Sequence, residues 1–374
     1  MAATDRGHGA PVTAQHESPG ERSERPAVLR FAASGTTRYV VGRILKAFFT
    51  IYVVATATFF LLRLLPGNPV EVYINQQIAQ YGMSYQDAAN QAAGLFSFNP
   101  DEPLPVQYLN YLAGMARGDF GESLLSPGSS VLSQIGAYLP WTLFSVGTAL
   151  VVSFLLGIGL GMAMAYRRGS VFDHVMTFFA SVTHSVPNFL LAMMIIVFFG
   201  VQLELLPIGE MRGSYSPGVT PEFSIAFVTD VLYHASLPMF VYVLTTLGGW
   251  MLVMKSSTIE TLGEDYVTVA RARGLTDRRI QFQYVGRNAM LPLFTSFVLS
   301  LGFVVGGSIL VEQVTQYQGI GFLLFEAVNR RDYPVLQGIL LIVTTSVIVA
   351  NLAADLLYSR IDPRVRITGN GGRS

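Results

Sequence analysis

Six stretches of this 374-residue chain stay apolar for about twenty residues, the length at which a helix crosses the hydrocarbon core of a bilayer. Hydrophobic residues make up 51% of the chain and charged residues only 13%, whereas soluble domains carry roughly 25% charge. The mean hydropathy is +0.45. A chain of this composition needs the bilayer as its solvent, so we predict an all-α polytopic membrane protein with six transmembrane helices. The predicted spans are residues 45–65, 141–166, 174–200, 237–254, 291–311 and 335–357.

Lysine and arginine concentrate in alternate connections between these spans, which is the pattern of cytoplasmic loops. Arg330 and Arg331 alone break the trend, beside acidic residues. The charge pattern therefore predicts that both termini are cytoplasmic. The cations assigned to the cytoplasm are Arg38, Arg43, Lys46, Arg167, Arg168, Lys255, Arg271, Arg273, Arg278, Arg279, Arg287, Arg360, Arg364 and Arg366.

The remaining segments divide by polarity and by turn signals. The polar start predicts a disordered cytoplasmic tail, and the long segment after the first span predicts a small external cap. In that cap Val106, Leu109, Leu112 and Ala113 have the spacing of one helix face. The predicted organisation is a tail at 1–37, a first span with its entry at 38–65, a cap at 66–140, a five-span core at 141–366 with a cytoplasmic loop at 256–290, and a C-terminal tail at 367–374.

The cytoplasmic loop between the fourth and fifth spans is too patterned to be a linker. Its charges predict a helix over 264–273, because Glu264 and Asp265 suit the positive end of a helix dipole and Arg271 and Arg273 suit the negative end. Gly274 then supplies a left-handed stop.

One face of this short helix has the spacing i, i+3, i+4 and i+7, formed by Tyr266, Val269, Ala270 and Arg273. We expect this face to seat in a groove of a partner protein. Thr276 is expected to cap a second helix. A solvated, charged hairpin is the alternative that charge alone allows.

The sequence Asp265-Tyr-Val-x-x-Ala-Arg-Ala-Arg-Gly-Leu275, followed by Arg287-Asn-Ala-Met-Leu-Pro292, resembles the cytoplasmic signature of binding-protein-dependent ABC importer permeases. Its form is similar to that of the dipeptide/oligopeptide/nickel branch, although Arg273 stands where Lys is common and Tyr284 precedes a run in which a His is expected. The resemblance covers residues 38–366. Further matching motifs are Arg117-Gly-Asp-Phe-Gly-Glu-Ser123, Leu206-Pro-Ile-Gly209, His234-Ala-Ser-Leu-Pro238 and Tyr358-Ser-Arg-Ile-Asp-Pro-Arg364.

The resemblance implies a type I ABC importer-like fold in which the short helix is a coupling helix that inserts into an ATPase cleft. It implies as partners two cytoplasmic ABC ATPases, a second homologous permease and an external substrate-binding protein, with the bilayer of the inner cell membrane around the spans. ATP and Mg would be bound by the ATPases, and di- or oligopeptides are the cargo; nickel chelates, glutathione or another small solute are alternatives. The implied docking residues are Glu264, Asp265, Tyr266, Val269, Ala270, Arg271, Ala272, Arg273, Gly274 and Leu275.

Catalysis in this chain is not predicted. The sequence has no Gly-x-x-x-x-Gly-Lys-Ser/Thr loop, no Gly-x-Ser-x-Gly elbow, no His-Glu-x-x-His and no cysteine. We therefore expect no catalytic residue, no metal site and no cofactor in the chain, and the net charge of +0 predicts no nucleic-acid partner. A membrane enzyme would need a site that is missing, and a stand-alone secondary transporter would have only His184 for ion coupling.

Polar residues within the spans are candidates for the substrate path, because polar groups in lipid are costly. His184, Pro187 and Asn188 form such a group in the third span, where Pro187 should kink the helix. A hydrogen bond between packed helices is the alternative for this group.

Three further features of the spans carry expectations. The motifs Gly157-Ile-Gly-Leu-Gly161 and Gly302-Phe-Val-Val-Gly306 predict close helix packing. Glu312, at the outer end of the fifth span, is expected on the surface; the alternative is that it borders the mouth of the pathway with Gln313 and Gln316. Asn351 and Asp355, near the inner end of the sixth span, are expected to reach water or an arginine.

Overall fold

The computed structural model describes residues 35–64, 69–95, 102–123, 126, 128–307 and 309–361, and within them the regular structure is helical apart from one isolated bridge between Glu122 and Ser130. The helices are α1 (Gly35–Leu64), α2 (Pro69–Tyr81), α3 (Tyr85–Leu95), α4 (Leu104–Arg117), α5 (Val131–Tyr166), α6 (Val171–Ser185), α7 (Asn188–Ile195, continued by the π-helix Ile196–Gln202), α8 (Ile225–Leu262), α9 (Asp265–Ala272), α10 (Asp277–Arg279, continued by the π-helix Ile280–Gly286), α11 (Arg287–Ala289), α12 (Leu291–Val304), α13 (Ile309–Thr315), α14 (Ile320–Asn329) and α15 (Tyr333–Ile361).

Contacts divide the chain into two units, Met1–Ile44 and Leu45–Ser374. The described part of the first unit is the opening of α1, and the other helices belong to the second. The predicted tails at 1–37 and 367–374 lie outside the described residues, except for residues 35–37, with which α1 begins. The side chain of Asp355 and the last three residues of the predicted motif Tyr358–Arg364 also lie outside them.

In the described part of the chain, four helices are long and apolar enough to cross a bilayer, over Val41–Leu61, Val131–Tyr166, Ile225–Leu262 and Tyr333–Ala354. Two bent pairs raise the number to six if each pair is one span. The pair Val171–Ser185 and Asn188–Gln202 bends by 99°, and the pair Asp277–Ala289 and Leu291–Val304 bends by 49°. The helical class and the number of apolar spans are thus as the hydropathy pattern predicts.

The fifth span is shorter than predicted. Its helix ends at Val304 rather than Val311 because the chain turns at Gly306 and Gly307, and Gly307 adopts φ +60°. Residues 309–315 then form the separate helix α13. Hydropathy alone could not show this break, since the residues on both sides are equally apolar.

Helix α8 lies between α5 and α6, and glycines permit the close approach. A Cβ built on Gly161 of α5 would lie 2.5 Å from the carbonyl oxygen of Met251 and 2.7 Å from Cβ of Met254. On the other side, a Cβ on Gly248 would lie 2.8 Å from the Thr183 hydroxyl oxygen of α6. Gly302 of α12 approaches α15 in the same way. The predicted close packing at small residues is therefore confirmed.

The predicted cap segment contains α2, α3 and α4. Helices α2 and α3 share a small apolar core, whereas α4 packs through Tyr108 and Tyr111 against Phe59 of α1, with ring centroids 5.2 Å apart in both pairs. The predicted helix is present as α4, and on it Val106 is 42% and Leu109 is 64% exposed. The two tyrosines bury the neighbouring face instead, since their rings provide more contact area than the aliphatic side chains.

Candidate functional site

The helix predicted to couple the protein to an ATPase is present as α9, one residue shorter at each end than the prediction. Glu264 precedes it in an extended conformation, and the acidic Asp265 occupies its first turn. At the other end Gly274 adopts φ +74°, and its N–H donates to the Arg271 carbonyl (2.9 Å) while the Leu275 N–H donates to the Ala270 carbonyl (3.3 Å). These two bonds form a Schellman motif, so the predicted glycine stop is confirmed.

One side of α9 is buried within its own loop. Val267 and Ala270 pack with Ile280 and Val285 of the following π-helix in a cluster that also contacts Leu262, Leu275 and Tyr284. Ala270 is only 2% exposed, so its assignment to the partner-facing surface is wrong. Val267 and Ala270 are one turn apart, so both side chains contact Ile280 and Val285. The spacing of apolar residues within α9 does not indicate these contacts, because they are made by a neighbouring helix.

The opposite side of α9 is open. Val269 is 55% and Tyr266 is 38% exposed, and the helix geometry centres the free face on Val269 and Ala272. Of the ten predicted docking residues, Ala270 is buried and Leu275 is half-buried; the remaining eight are Glu264, Asp265, Tyr266, Val269, Arg271, Ala272, Arg273 and Gly274, all exposed. Thr276 precedes α10 as predicted, but its side chain makes no capping hydrogen bond.

Two side-chain hydrogen bonds join this loop to the entrance of the fifth span. Asn288 of α11 donates through Nδ2 to the Tyr266 hydroxyl (2.9 Å), and Ser257 of α8 donates to the Ala289 carbonyl (2.8 Å). Ala289 also packs with Met162 of α5 and Met254 of α8. Helix α9 is thus connected through α11 to the ends of three spans, which are α5, α8 and α12.

A buried ion pair, which the sequence pattern did not single out, lies at the same end of the spans. Lys255 Nζ of α8 is 2.5 Å from Asp173 Oδ1 of α6, and it also donates to the Thr177 hydroxyl (2.9 Å). Asp173 is 5% exposed and accepts the Gly169 N–H through Oδ2 (3.1 Å). The sequence feature that could have indicated this ion pair is one acidic residue and one basic residue at the ends of two apolar stretches. The pair fixes the start of the third span to the end of the fourth.

The third span breaks at the proline that was predicted to kink it. Val186 has ψ 123° because the residue before a proline avoids the helical region, and Pro187 itself is extended. The two halves meet at 99°. His184 and Pro187 are exposed, and Asn188 is half-buried. His184 lies against α8 at Gly249, where an added Cβ would be 3.3 Å from its ring. Their lining of a substrate path stays a prediction.

Glu312 is not on the surface, contrary to the expectation. It is fully buried in α13, and its carboxyl group accepts the Thr142 hydroxyl of α5 (2.8 Å). The reason is the break after Val304, which turns α13 back onto α5 instead of continuing the fifth span. Among the described residues no three His, Asp or Glu side chains come together as metal ligands.

Comparison with known proteins identifies this architecture. The family model described as binding-protein-dependent transport system inner membrane component matches residues 157–367. A putative peptide permease of Brucella suis biovar 1 is 36% identical over 88% of this chain and 99% of its own length. The oligopeptide transport system permease of Bacillus subtilis is 31% identical over 87% and 98%, and the dipeptide transport system permease of Escherichia coli K12 is 33% identical over 83% and 93%. The chain therefore belongs to the binding-protein-dependent transport system inner membrane components, as an ABC importer permease of the peptide family.

Proposed function

We propose that this chain forms half of the translocation path of an ATP-driven importer for di- or oligopeptides and is moved through α9 by a separate ATPase. The single observation that supports this best is the free face of α9, which presents Val269 and Tyr266 on a helix that α11 connects to the ends of the spans. An exposed apolar face at the end of such an assembly suits a protein partner.

The proposed complex contains two cytoplasmic ATPases, a second homologous permease and an external substrate-binding protein. ATP and Mg are bound by the ATPases, and both termini and the α9 loop face the cytoplasm. Closure of the ATPase pair would move α9 as a rigid body and switch the spans between two states, which is alternating access. Segment 66–140 then lies on the outer side as a cap, and His184, Pro187 and Asn188 line the path at the break of the third span.

Substitutions at Val269 test the docking role. Val269→Glu places a charge on a half-exposed side chain without touching the cluster under α9, so it should abolish capture of the ATPase and ATP-driven uptake while the permease still folds. Val269→Thr keeps the shape of the side chain and should retain both. Ala270→Glu is a poor probe because it would disrupt the buried cluster. Normal ATPase capture by the Val269→Glu protein would refute the docking assignment.

Mass spectrometry of the detergent-purified complex would name the partners, and a recovered binding protein can be tested for its ligand. Peptide binding supports the peptide proposal, which rests on the names of the relatives. Binding of a nickel chelate or of glutathione instead would keep the importer and change the cargo. Capture of neither an ATPase nor a binding protein would favour a stand-alone secondary transporter.

A further inference from the structure

The buried carboxyl group of Glu312 joins α13 to the start of α14 and to α5, which lies 170 positions earlier in the chain. Oε1 accepts the Thr142 hydroxyl of α5 (2.8 Å), while Oε2 accepts the backbone N–H of Gly321 (2.8 Å) and of Phe322 (3.1 Å) at the start of α14. Glu312 and Thr142 are both fully buried. Three donors on one buried group indicate a built contact rather than a chance one.

The start of α14 depends on this contact. The first N–H groups of a helix have no partner within the helix. Here the Ile320 N–H donates to the Thr142 hydroxyl oxygen (2.7 Å), and the next two N–H groups donate to Glu312. The helix therefore takes the partners of its first three donors from α5 and α13, and its N-terminus is fixed to both.

Glycines leave no room for the carboxyl group to shift. A Cβ on Gly307 would lie 2.8 Å from Glu312 Oε1, and one on Gly321 would lie 3.0 Å from Oε2 and 2.8 Å from Cα of Ile309. A Cβ on Gly319 would collide with both Glu312 and Thr142. Backbone and side chains thus fill the volume around the group completely, which holds its orientation.

Other buried contacts tie down the same segment. The Tyr317 side chain is buried, and its hydroxyl donates to the Trp141 carbonyl of α5 (3.2 Å). After α14, Asp332 is 1% exposed and accepts the Ser123 hydroxyl (2.5 Å). Between these points one side of α14 packs in a core that includes Val131, Ile135, Val335 and Ile339. Both ends of the segment are therefore anchored.

The contact of Glu312 with Thr142, Gly321 and Phe322, which we call the clamp, lies far from α9 along α5. Thr142 and Met162 are about 30 Å apart on that helix at 1.5 Å per residue. Met162 belongs to the α9 end, because an added Cβ on Gly286 would be 3.0 Å from Met162 Cε. In the proposed importer the Glu312 end of α5 is thus the outer end, where substrate arrives.

We propose that Glu312 is a positioning residue of the transport cycle, whose carboxyl group locks α13 and α14 to the outer end of α5 so that they move as one body. The proposal rests on the proposed function for its assignment of the outer side. The hydrogen-bonding pattern, rather than net charge, makes the lock, because each carboxyl oxygen meets a defined donor.

The absence of cysteine from the sequence allows a direct measurement. Ala327 of α14 is 2% exposed and lies in the core beneath that helix, whereas the next residue, Val328, is 54% exposed. Single variants Ala327→Cys and Val328→Cys in the detergent-purified complex are treated with a charged maleimide. With Glu312 intact, the Ala327→Cys protein should react slowly with the maleimide and the Val328→Cys protein should react rapidly.

Glu312→Ala should speed labelling at position 327 about tenfold or more, because it leaves buried donors unsatisfied, and should leave position 328 unchanged. Glu312→Gln keeps one oxygen that can accept from the two backbone N–H groups, and its Nε2 can donate to the Thr142 hydroxyl oxygen, so it should restore protection and peptide uptake. Thr142→Val keeps the side-chain shape but removes the hydroxyl group, so it should also speed labelling at position 327. Combining it with Glu312→Ala should add little, since both remove one contact.

Unchanged protection of position 327 in both Glu312→Ala and Thr142→Val would overturn the proposal, as would failure of Glu312→Gln to restore it. The ATPase provides the separate readout. Glu312→Ala should still capture it and lose uptake, because α9 is untouched. If the complex with Glu312 intact captures no ATPase, the proposed function fails, while the labelling result still decides whether the clamp exists.

Discussion

The close contact between α5 and α8 gives a sharp prediction, because three glycines in one turn of α5 have different surroundings. Gly157 and Gly161 are buried against α8, and Gly159 between them is exposed, with nothing within 4 Å of an added Cβ. A single methyl group added at each position therefore separates packing from helix propensity. The perturbation is Gly161→Ala, with Gly159→Ala as its matched control.

The magnitude follows from the distances. The new methyl carbon at position 161 would lie 2.5 Å from the Met251 carbonyl oxygen and 2.7 Å from Met254 Cβ. Carbon atoms rest at about 3.5–4.0 Å, so the helices would have to part by about 1 Å. Overpacking of this kind costs about 1–3 kcal/mol. At position 159 the same methyl group meets nothing, and replacing glycine in a helix gains about 0.5–1 kcal/mol.

Unfolding in mixed micelles with increasing SDS, followed by circular dichroism, would measure the difference. Gly161→Ala should be less stable than Gly159→Ala by about 1–3 kcal/mol, because both variants share the gain in helix propensity and only Gly161→Ala carries the packing cost. Gly157→Ala should behave like Gly161→Ala, since its Cβ would collide with Trp250. Equal midpoints for the Gly159 and Gly161 variants would show that α5 and α8 are not in close contact.

Three further outcomes are expected. Lys255→Met leaves the buried Asp173 without its cation and should lower the free energy of unfolding by about 3–5 kcal/mol in the same SDS assay. Adding Asp173→Leu should recover most of that loss. If the single variant is as stable as the double variant, the pairing is contradicted. Gly274→Ala forces an alanine to φ +74° and should destabilise α9 by about 1–2 kcal/mol. The loss should appear as faster amide exchange over 265–275. Gly263→Ala is the control, because Gly263 has φ −82°, and it should leave this exchange unchanged. Burial raises the pKa of Glu312, which lies outside the spans, to about 7 from the ordinary 4.5. The folded state therefore holds its proton more tightly than the unfolded state, so stability should fall by about 3 kcal/mol as pH rises from 4.5 to 7 and then level off, and Glu312→Gln should flatten this profile.

The spans and α9 could be predicted because their signals are local. A run of apolar residues identifies a span without any knowledge of its neighbours. The limits of α9 follow from acidic residues at one end, basic residues at the other and Gly274 beyond them, all within one short window. Each of these patterns reports a backbone preference that the surrounding structure does not override.

The errors occurred where the deciding partner is distant. Glu312 is buried because Thr142, 170 positions earlier, provides a donor, and a hydropathy window does not include that partner. Ala270 lies at the boundary between two faces of α9, and its side was settled by Ile280 and Val285 across a turn. A periodicity count treats such boundary residues as members of either face.

Among the described residues, a few contacts connect α9 to the spans and would transmit its displacement to them. Ser257 and Tyr266 bond the loop to α11, and Lys255 bonds α8 to α6, so displacing α9 moves the near ends of the third, fourth and fifth spans together. Beyond that end, the third span is interrupted at Pro187, and the helix of the fifth span ends at Val304, where the chain turns into α13. Interrupted helices bend more easily than continuous ones because backbone hydrogen bonds are missing there. In the proposed importer the spans would therefore rotate as a block near the ATPase and bend at these breaks, while α13 and α14 follow α5 only as long as Glu312 holds them.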